Sequence, residues 1–295
     1  MKSLWNDEEA RKFNSDLDLR VYTSRLLGKN SSLVLHGGGN TSVKTTVENL
    51  FGEEEEVLYV KGSGWDLATI EAQGFAPVKM ETLLKMADLS ALSDNNMVKY
   101  QRAAMLDPNA PNPSVEAILH AIIPFKFVDH THADTVVTIS NTANGEERLK
   151  EIYGDKVLII PYVMPGFDLA KLVYEATKGI NWEELEGIIL LNHGVFTFEN
   201  DAQTSYENMI NMITKAEKYM VKQDAVVCGD SIEADPSFFN SIGNFFGSIF
   251  SQTGKCFLGD SIKKGKLVQM NLKELVKVRK KISYEKKQEK LSVSD

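Results

Sequence analysis

Hydrophobic and polar positions along this chain change period repeatedly, and the changes mark out elements. Between residues 7 and 28, Ala10, Phe13, Leu17, Val21 and Tyr22 fall near helical spacing and predict one helix. "SSLVLHGGGNTSVKTT" then predicts a strand over 33–36, a tight glycine turn, and a second strand over 41–46. "EVLYVKGSG" predicts another strand ending in a glycine turn. "DLATI" predicts a short helix capped by Asp66. "VKYQRAAML" has helical spacing and breaks before Pro108.

The segment "LDPNAPNPS" is a turn array. "PSVEAILHAIIP" predicts a helix with Pro113 before it, Ser114 as N-cap and Pro124 after it. "FVDHTHADTVVTIS" combines a strand, a turn and a helix start. "KVLIIPYV" and "GIILLNHGVFTFE" predict buried strands rich in β-branched residues, with the helix "GFDLAKLVYEAT" between them. The clearest helix is "DAQTSYENMINMITKAEKYMVKQ". Asp201 caps it, and Tyr206, Met209, Ile210 and Ile213 share a face. Strands alternate with helices, but the early glycine turns imply hairpins. An α/β fold with a mixed or mostly antiparallel sheet covered by helices follows, rather than a doubly wound parallel sheet.

Composition narrows the class. The 295 residues are 43% hydrophobic and 25% charged, enough for one large domain with an appendage. A net charge of -8 and a pI near 5.3 argue against a nucleic-acid partner. Charge is unevenly spread. From Lys263 onward eleven Lys and Arg face four Asp and Glu, a balance of +7, so the first 262 residues carry -15 of the net -8. We place a boundary near Asp235 and Pro236, giving a main domain over 1–235 and an appendage over 236–295. The appendage is Phe-rich and then basic. Packing is the commoner fate of such apolar residues than a membrane surface. It is too short for a dinucleotide-binding domain and holds no GxGxxG. Cys228 and Cys256 form no paired motif, no leader pattern opens the chain, and no run reaches membrane-spanning length. The expectation is a cytoplasmic protein without a membrane partner.

Among the five histidines, His130 and His132 stand one residue apart in "VDHTHADTV". On a strand both point to one face, the geometry for two bites on one ion. A catalytic zinc site wants a third protein ligand, and His193 in "LLNHGVF" is the candidate. Two surface histidines and a satisfied core histidine are the competing reading. "HGGGNTS" (36–42) offers backbone N–H groups that suit a phosphate, or is a plain hairpin turn. "KGSG" (61–64) is a second anion turn, with Lys61 adding charge or serving as a Schiff-base amine. Glu116 is either a helix-dipole carboxylate or a general acid/base. His120, four residues on, reads as structural, as does His36.

"LHGGGNTSVK", "VKGSGWDL", "PSVEAILH", "DHTHADTV" and "LLNHGVF" together resemble, in order and spacing, the class II aldolase/adducin family. With "RVYTSRLLG" upstream, the resemblance is nearest to the aldolase half of bifunctional rhamnulose-1-phosphate aldolase/alcohol dehydrogenases. It covers about residues 5 to 225. It implies a three-layer α/β/α sandwich and a homotetramer with sites at subunit interfaces. It also implies that His130, His132 and His193 bind zinc, with manganese or cobalt as substitutes. Glu116 then matches the catalytic glutamate. Gly39, Asn40, Ser63, Gly64 and Ser114 match positions that hold the phosphate of a sugar phosphate substrate. Val115 stands where fuculose-phosphate aldolases carry a second serine. The implied activity is cleavage of a ketose 1-phosphate to dihydroxyacetone phosphate and an aldehyde. Epimerisation or dehydration on the same scaffold is the alternative, and a non-catalytic zinc-containing binding protein is a third. Glu116 favours aldol chemistry, because the family's epimerases use Asp there.

Overall fold

The computed structural model describes residues 1–223, 225, 255–256 and 270–271. The chain divides into two units, Met1–Glu217 and Lys218–Asp295. In the second, Lys255–Cys256 pairs antiparallel with Met270–Asn271. The expected boundary near residue 235 and the Phe-rich and basic segments lie, apart from those short strands, outside the described residues.

The first unit is built on a seven-stranded sheet. Its strands are β1 (Asn40–Glu48), β2 (Glu54–Lys61), β3 (Phe75–Lys79), β4 (Phe127–Thr131), β5 (Val157–Ile160), β6 (Gly187–Leu190) and β7 (Gly194–Glu199). The order across the sheet is β3-β2-β1-β4-β7-β6-β5. Only β5 and β6 run parallel; the other neighbours are antiparallel. A parallel pair needs a crossover, and helix α8 (Phe167–Ala176) lies in the connection between β5 and β6. The fold is α/β with an open mixed sheet, as expected.

Strand alternation sends the two faces to different helices. On one face Val43 and Phe127 pack with Leu17 and Leu19 and with Ala202. These residues belong to α2 (Asp16–Gly28) and α9 (Ala202–Lys222). On the other face Leu58, Val60, Val128, Ile188 and Phe196 join a larger core. That core takes side chains from α3 (Met80–Asp88), α4 (Asp94–Ala103), α5 (Ala117–Ile122) and α8.

Four local expectations are corrected. Residues 7–28 form two helices, α1 (Asp7–Ala10) and α2, because Ser15 accepts a hydrogen bond from Asp18 N and starts a new helix. Residues 33–36 are not a strand. Leu33 and Val34 are buried, but their backbone N–H groups bond to Asn30 O, so burial is met without a ladder. "DLATI" is a turn, in which Asp66 Oδ1 accepts from Ala68 N at 2.9 Å. "GIILLNHGVFTFE" is a hairpin, β6 then β7, turned by Asn192 at a left-handed φ of 59°.

Asp129 of β4 points to the α2/α9 face. Its carboxylate meets Arg20 at 2.5 Å and accepts from Ser205 Oγ at 2.5 Å, and both charged side chains are fully buried. Breaking a buried pair leaves an uncompensated charge. Arg20→Met is expected to cost about 3–5 kcal/mol of stability in urea unfolding, with Arg20→Met/Asp129→Leu recovering much of it. A loss under about 1 kcal/mol for the single variant would show that the pair holds nothing in place.

Candidate functional site

The neighbour of Asp129, His130, faces the opposite way. Its ring stacks on Phe196 with centroids 4.1 Å apart. Its Nδ1 sits 3.1 Å from the Val195 carbonyl, which fixes Nδ1 as the protonated nitrogen. The bare Nε2 is buried with no hydrogen-bond partner among the described residues. That is the arrangement of a metal-ligating imidazole whose other nitrogen is anchored.

His132 lies one residue past the end of β4, and His193 closes the β6–β7 turn. Ring centroids are 4.9 Å apart for His130 and His132, 5.0 Å for His130 and His193, and 5.1 Å for His132 and His193. One nitrogen of each lies within 4.8 Å of the others, so the three could hold one metal ion. Desolvation lowers the pKa of all three, toward the neutral form that a metal requires, although His130 is buried and His132 is exposed at the surface. For His130 the charge that His132, His193 or His120 would carry if protonated adds to that effect. Gly194 makes this closeness possible. A Cβ there would meet Thr131 O at 2.3 Å and His130 Cε1 at 2.9 Å.

Asn192 orients the His193 turn. Its backbone N–H donates to Ser140 Oγ at 3.1 Å and its side-chain amide to Asn141 Oδ1 at 2.8 Å. Both partners sit at the C-terminal end of α6 (Asp134–Ser140). The left-handed Asn192 was not singled out from the sequence, although an Asn before a His-Gly pair is a residue type that tolerates this backbone.

Glu116 stands against the histidines. It occupies the N-cap position of α5, so the helix begins two residues later than a Ser114 cap predicts. Ser114 Oγ accepts from Glu116 N at 3.2 Å. The carboxylate lies 3.5 Å from both His130 Nε2 and His193 Nε2. Oε2 accepts from Asn40 Nδ2 at 2.6 Å, while Oε1 is buried without a hydrogen-bond partner among the described residues. Burial raises the Glu116 pKa, opposed by His193, Asn40 and Lys61.

The two glycine turns meet beside this cluster. A Cβ on Gly37 would touch Gly64 at 3.6 Å, and one on Gly38 would lie 3.4 Å from His132 Nδ1. Gly39 and Gly64 hold left-handed φ values of 60° and 85°. Lys61 Nζ donates to Gly37 O at 3.0 Å, tying one turn to the other. Ser63 N donates to Asn112 O at 2.8 Å and Ser114 N to Lys61 O at 3.1 Å, which draws in the proline loop. Asn40 pairs with His130 across β1 and β4. Gly39, Asn40, Ser63, Gly64 and Ser114 thus come from three separate segments to one wall of the site. Burial pushes the Lys61 pKa down to about 8, with Asp66 and Glu116 opposing.

Residues 19–220 match the model of the class II aldolase and adducin N-terminal domain, and the chain belongs to that family. The N-terminal class II aldolase domain of a conserved Thermoplasma acidophilum protein is 42% identical. It covers 75% of this chain and 99% of its own, with a TM-score of 0.67. A sugar-phosphate aldolase from Thermotoga maritima shares the fold at 15% identity, covering 74% of this chain and 97% of its own, with a TM-score of 0.52. The uncharacterized oxidoreductase YuxG of Bacillus subtilis (strain 168) is 37% identical over 220 residues. That stretch is 75% of this chain but 32% of the relative, so the chain spans about a third of that protein's length. No helix among the described residues is long and apolar enough to cross a membrane.

Proposed function

We propose that this chain is a metal-dependent aldehyde-lyase that cleaves a ketose 1-phosphate, similar to rhamnulose 1-phosphate, into dihydroxyacetone phosphate and an aldehyde. The observation that carries the reading is Glu116: a buried carboxylate with one oxygen held and the other free, within 3.5 Å of two of the three clustered histidines. His130, His132 and His193 would hold a divalent ion, with zinc the first choice for three imidazoles. Such an ion supplies a Lewis acid for negative charge developing on the ketose oxygens. Breaking the C3–C4 bond leaves an electron pair on C3 and an aldehyde carbonyl on C4. One proton leaves the C4 hydroxyl and one is gained at C3, so the reaction is proton-neutral. Glu116 Oε1 is the group that moves the proton at C3, since burial raises its pKa toward the working range of a general acid.

The same reading gives Gly39, Asn40, Ser63, Gly64 and Ser114 the substrate phosphate. Backbone N–H groups in left-handed turns and side-chain hydroxyls suit an anion. Lys61 adds a positive charge whose strength depends on pH. We propose a cytoplasmic homotetramer with sites between subunits. Support for assembly is that Leu35 and Val115, beside the glycine run and Glu116 in sequence, are 53% and 40% exposed. Light scattering on the full chain tests it: a mass near four chains is expected, and a monomer at micromolar concentration would refute it.

A screen of ketose 1-phosphates for release of dihydroxyacetone phosphate tests the reaction. Glu116→Gln is expected to lower kcat by about 10²–10⁴-fold while keeping its metal. His132→Ala is expected to lose metal and activity together. Epimerised or dehydrated product without cleavage would assign the site to the alternative chemistries. Bound metal with no turnover of any sugar phosphate would assign it to a binding role.

The Lys61 ammonium is present below its pKa of about 8 and is lost above it. Its charged and titratable surroundings are Asp66, Glu116 and His132. In the wild type, kcat/KM is therefore expected to fall as pH rises through about 8. In Lys61→Met that limb should vanish and KM should be high throughout. A Lys61→Met profile that keeps the wild-type limb would remove Lys61 from substrate binding.

A further inference from the structure

His120 lies fully buried on α5, one turn beyond Glu116; its backbone N–H donates to Glu116 O at 3.2 Å, but no hydrogen bond joins the His120 ring directly to the Glu116 carboxylate. The two are joined through β1. His120 Nδ1 is 2.7 Å from Ser42 Oγ, and His120 Nε2 contacts Asn40 Oδ1. The Asn40 amide nitrogen in turn reaches Glu116 Oε2 at 2.6 Å. Asn40 and Ser42 are two apart on β1, so strand alternation presents both to α5.

The donor and acceptor inventory fixes every direction in this chain. With Glu116 ionised its carboxylate only accepts, so Asn40 must turn its NH2 toward it. That leaves Asn40 Oδ1 facing His120, so Nε2 must carry the imidazole proton. Nδ1 is then bare and accepts from the Ser42 hydroxyl. The scheme needs a neutral imidazole. Burial, and the positive charges of Lys44 and Arg20, hold the His120 pKa well below its usual value.

We infer that His120 is a positioning residue for Glu116: its Nε2–H fixes the side-chain amide of Asn40, which holds Oε2 and leaves Oε1 free toward the histidine cluster. Without that proton, Asn40 can rotate its amide and set Oδ1 against the carboxylate, where two acceptors repel. Ser42 secures the tautomer from the far side. The consequence for catalysis rests on the reading of Glu116 as the proton-transfer group, whereas the tautomer does not depend on it.

Two measurements test this. In the zinc-loaded full chain, labelled with nitrogen-15 on histidine and assigned by the signal lost in His120→Gln, His120 should be neutral with Nε2 protonated and Nδ1 bare from pH 6 to 8. A protonated Nδ1, alone or with Nε2, overturns the inference. In the aldol-cleavage assay, His120→Met should lower kcat about 10–100-fold, with KM and zinc content within about twofold of wild type. His120→Gln, which returns an N–H donor near the Nε2 position, should recover most of that loss. Unchanged kcat in His120→Met, or equal impairment in both variants, overturns the positioning role. A wild-type chain that turns over no phosphorylated ketose overturns the reaction instead, and the tautomer alone then decides the network.

Discussion

Strand β4 carries one side chain down and the next one up, and the rest of the structure depends on what each meets. Asp129 turns to the α2/α9 face, where Arg20 and Ser205 close on it away from water. His130 turns to the α5 face, where Phe196 and the Val195 carbonyl hold its ring. Period two allows no compromise: a slip of one residue would bury the imidazole among the helices and send the carboxylate into the histidine cluster. A buried ion pair is a poor source of net stability, but a mismatched one is costly. We read Arg20–Asp129 as the device that makes the wrong register expensive.

The polar groups around the cluster follow the same economy of position. β1 lies next to β4, and its residues Asn40 and Ser42 face α5 while Thr41 faces α2 and meets Ser24. Few polar atoms in this centre lack partners, and those that do are informative. Glu116 Oε1, His130 Nε2 and His193 Nδ1 are buried without hydrogen-bond partners among the described residues. Leaving buried polar atoms unpaired costs free energy. Unpaired atoms on these three neighbouring residues are what a site for a metal and a reacting proton would show.

Much of the fold was legible in the sequence because most of its signals are local. The long α9, the β1 and β2 strands and the mostly antiparallel sheet follow from periodicity and turn chemistry. The failures share a cause. Leu33 and Val34 look like strand residues, but they only needed burial, which a loop beneath the Gly39 turn supplies. "DLATI" has a capping Asp, but the Asp closes a turn and no helix follows. "GIILLNHGVFTFE" is apolar on both sides because both strands are interior, and its turn is marked only by the short Asn192-His193-Gly194 break. Local pattern reports what a residue wants to bury, not which neighbour will bury it.

The candidate site divides in the same way. The sequence by itself determined the residue types: three histidines, one glutamate, and glycine turns that can hold an anion. It also determined the strand alternation that places Asp129 and His130 on opposite faces. Tertiary structure alone decided that His193 arrives from a hairpin pinned by Asn141, and that Lys61 joins one glycine turn to the other. It also decided that the His120 ring reaches the Glu116 carboxylate through the Asn40 amide. The physical reason is range. Backbone periodicity acts over a few residues, whereas these hydrogen bonds join groups far apart in sequence, and only a closed sheet register brings them within reach.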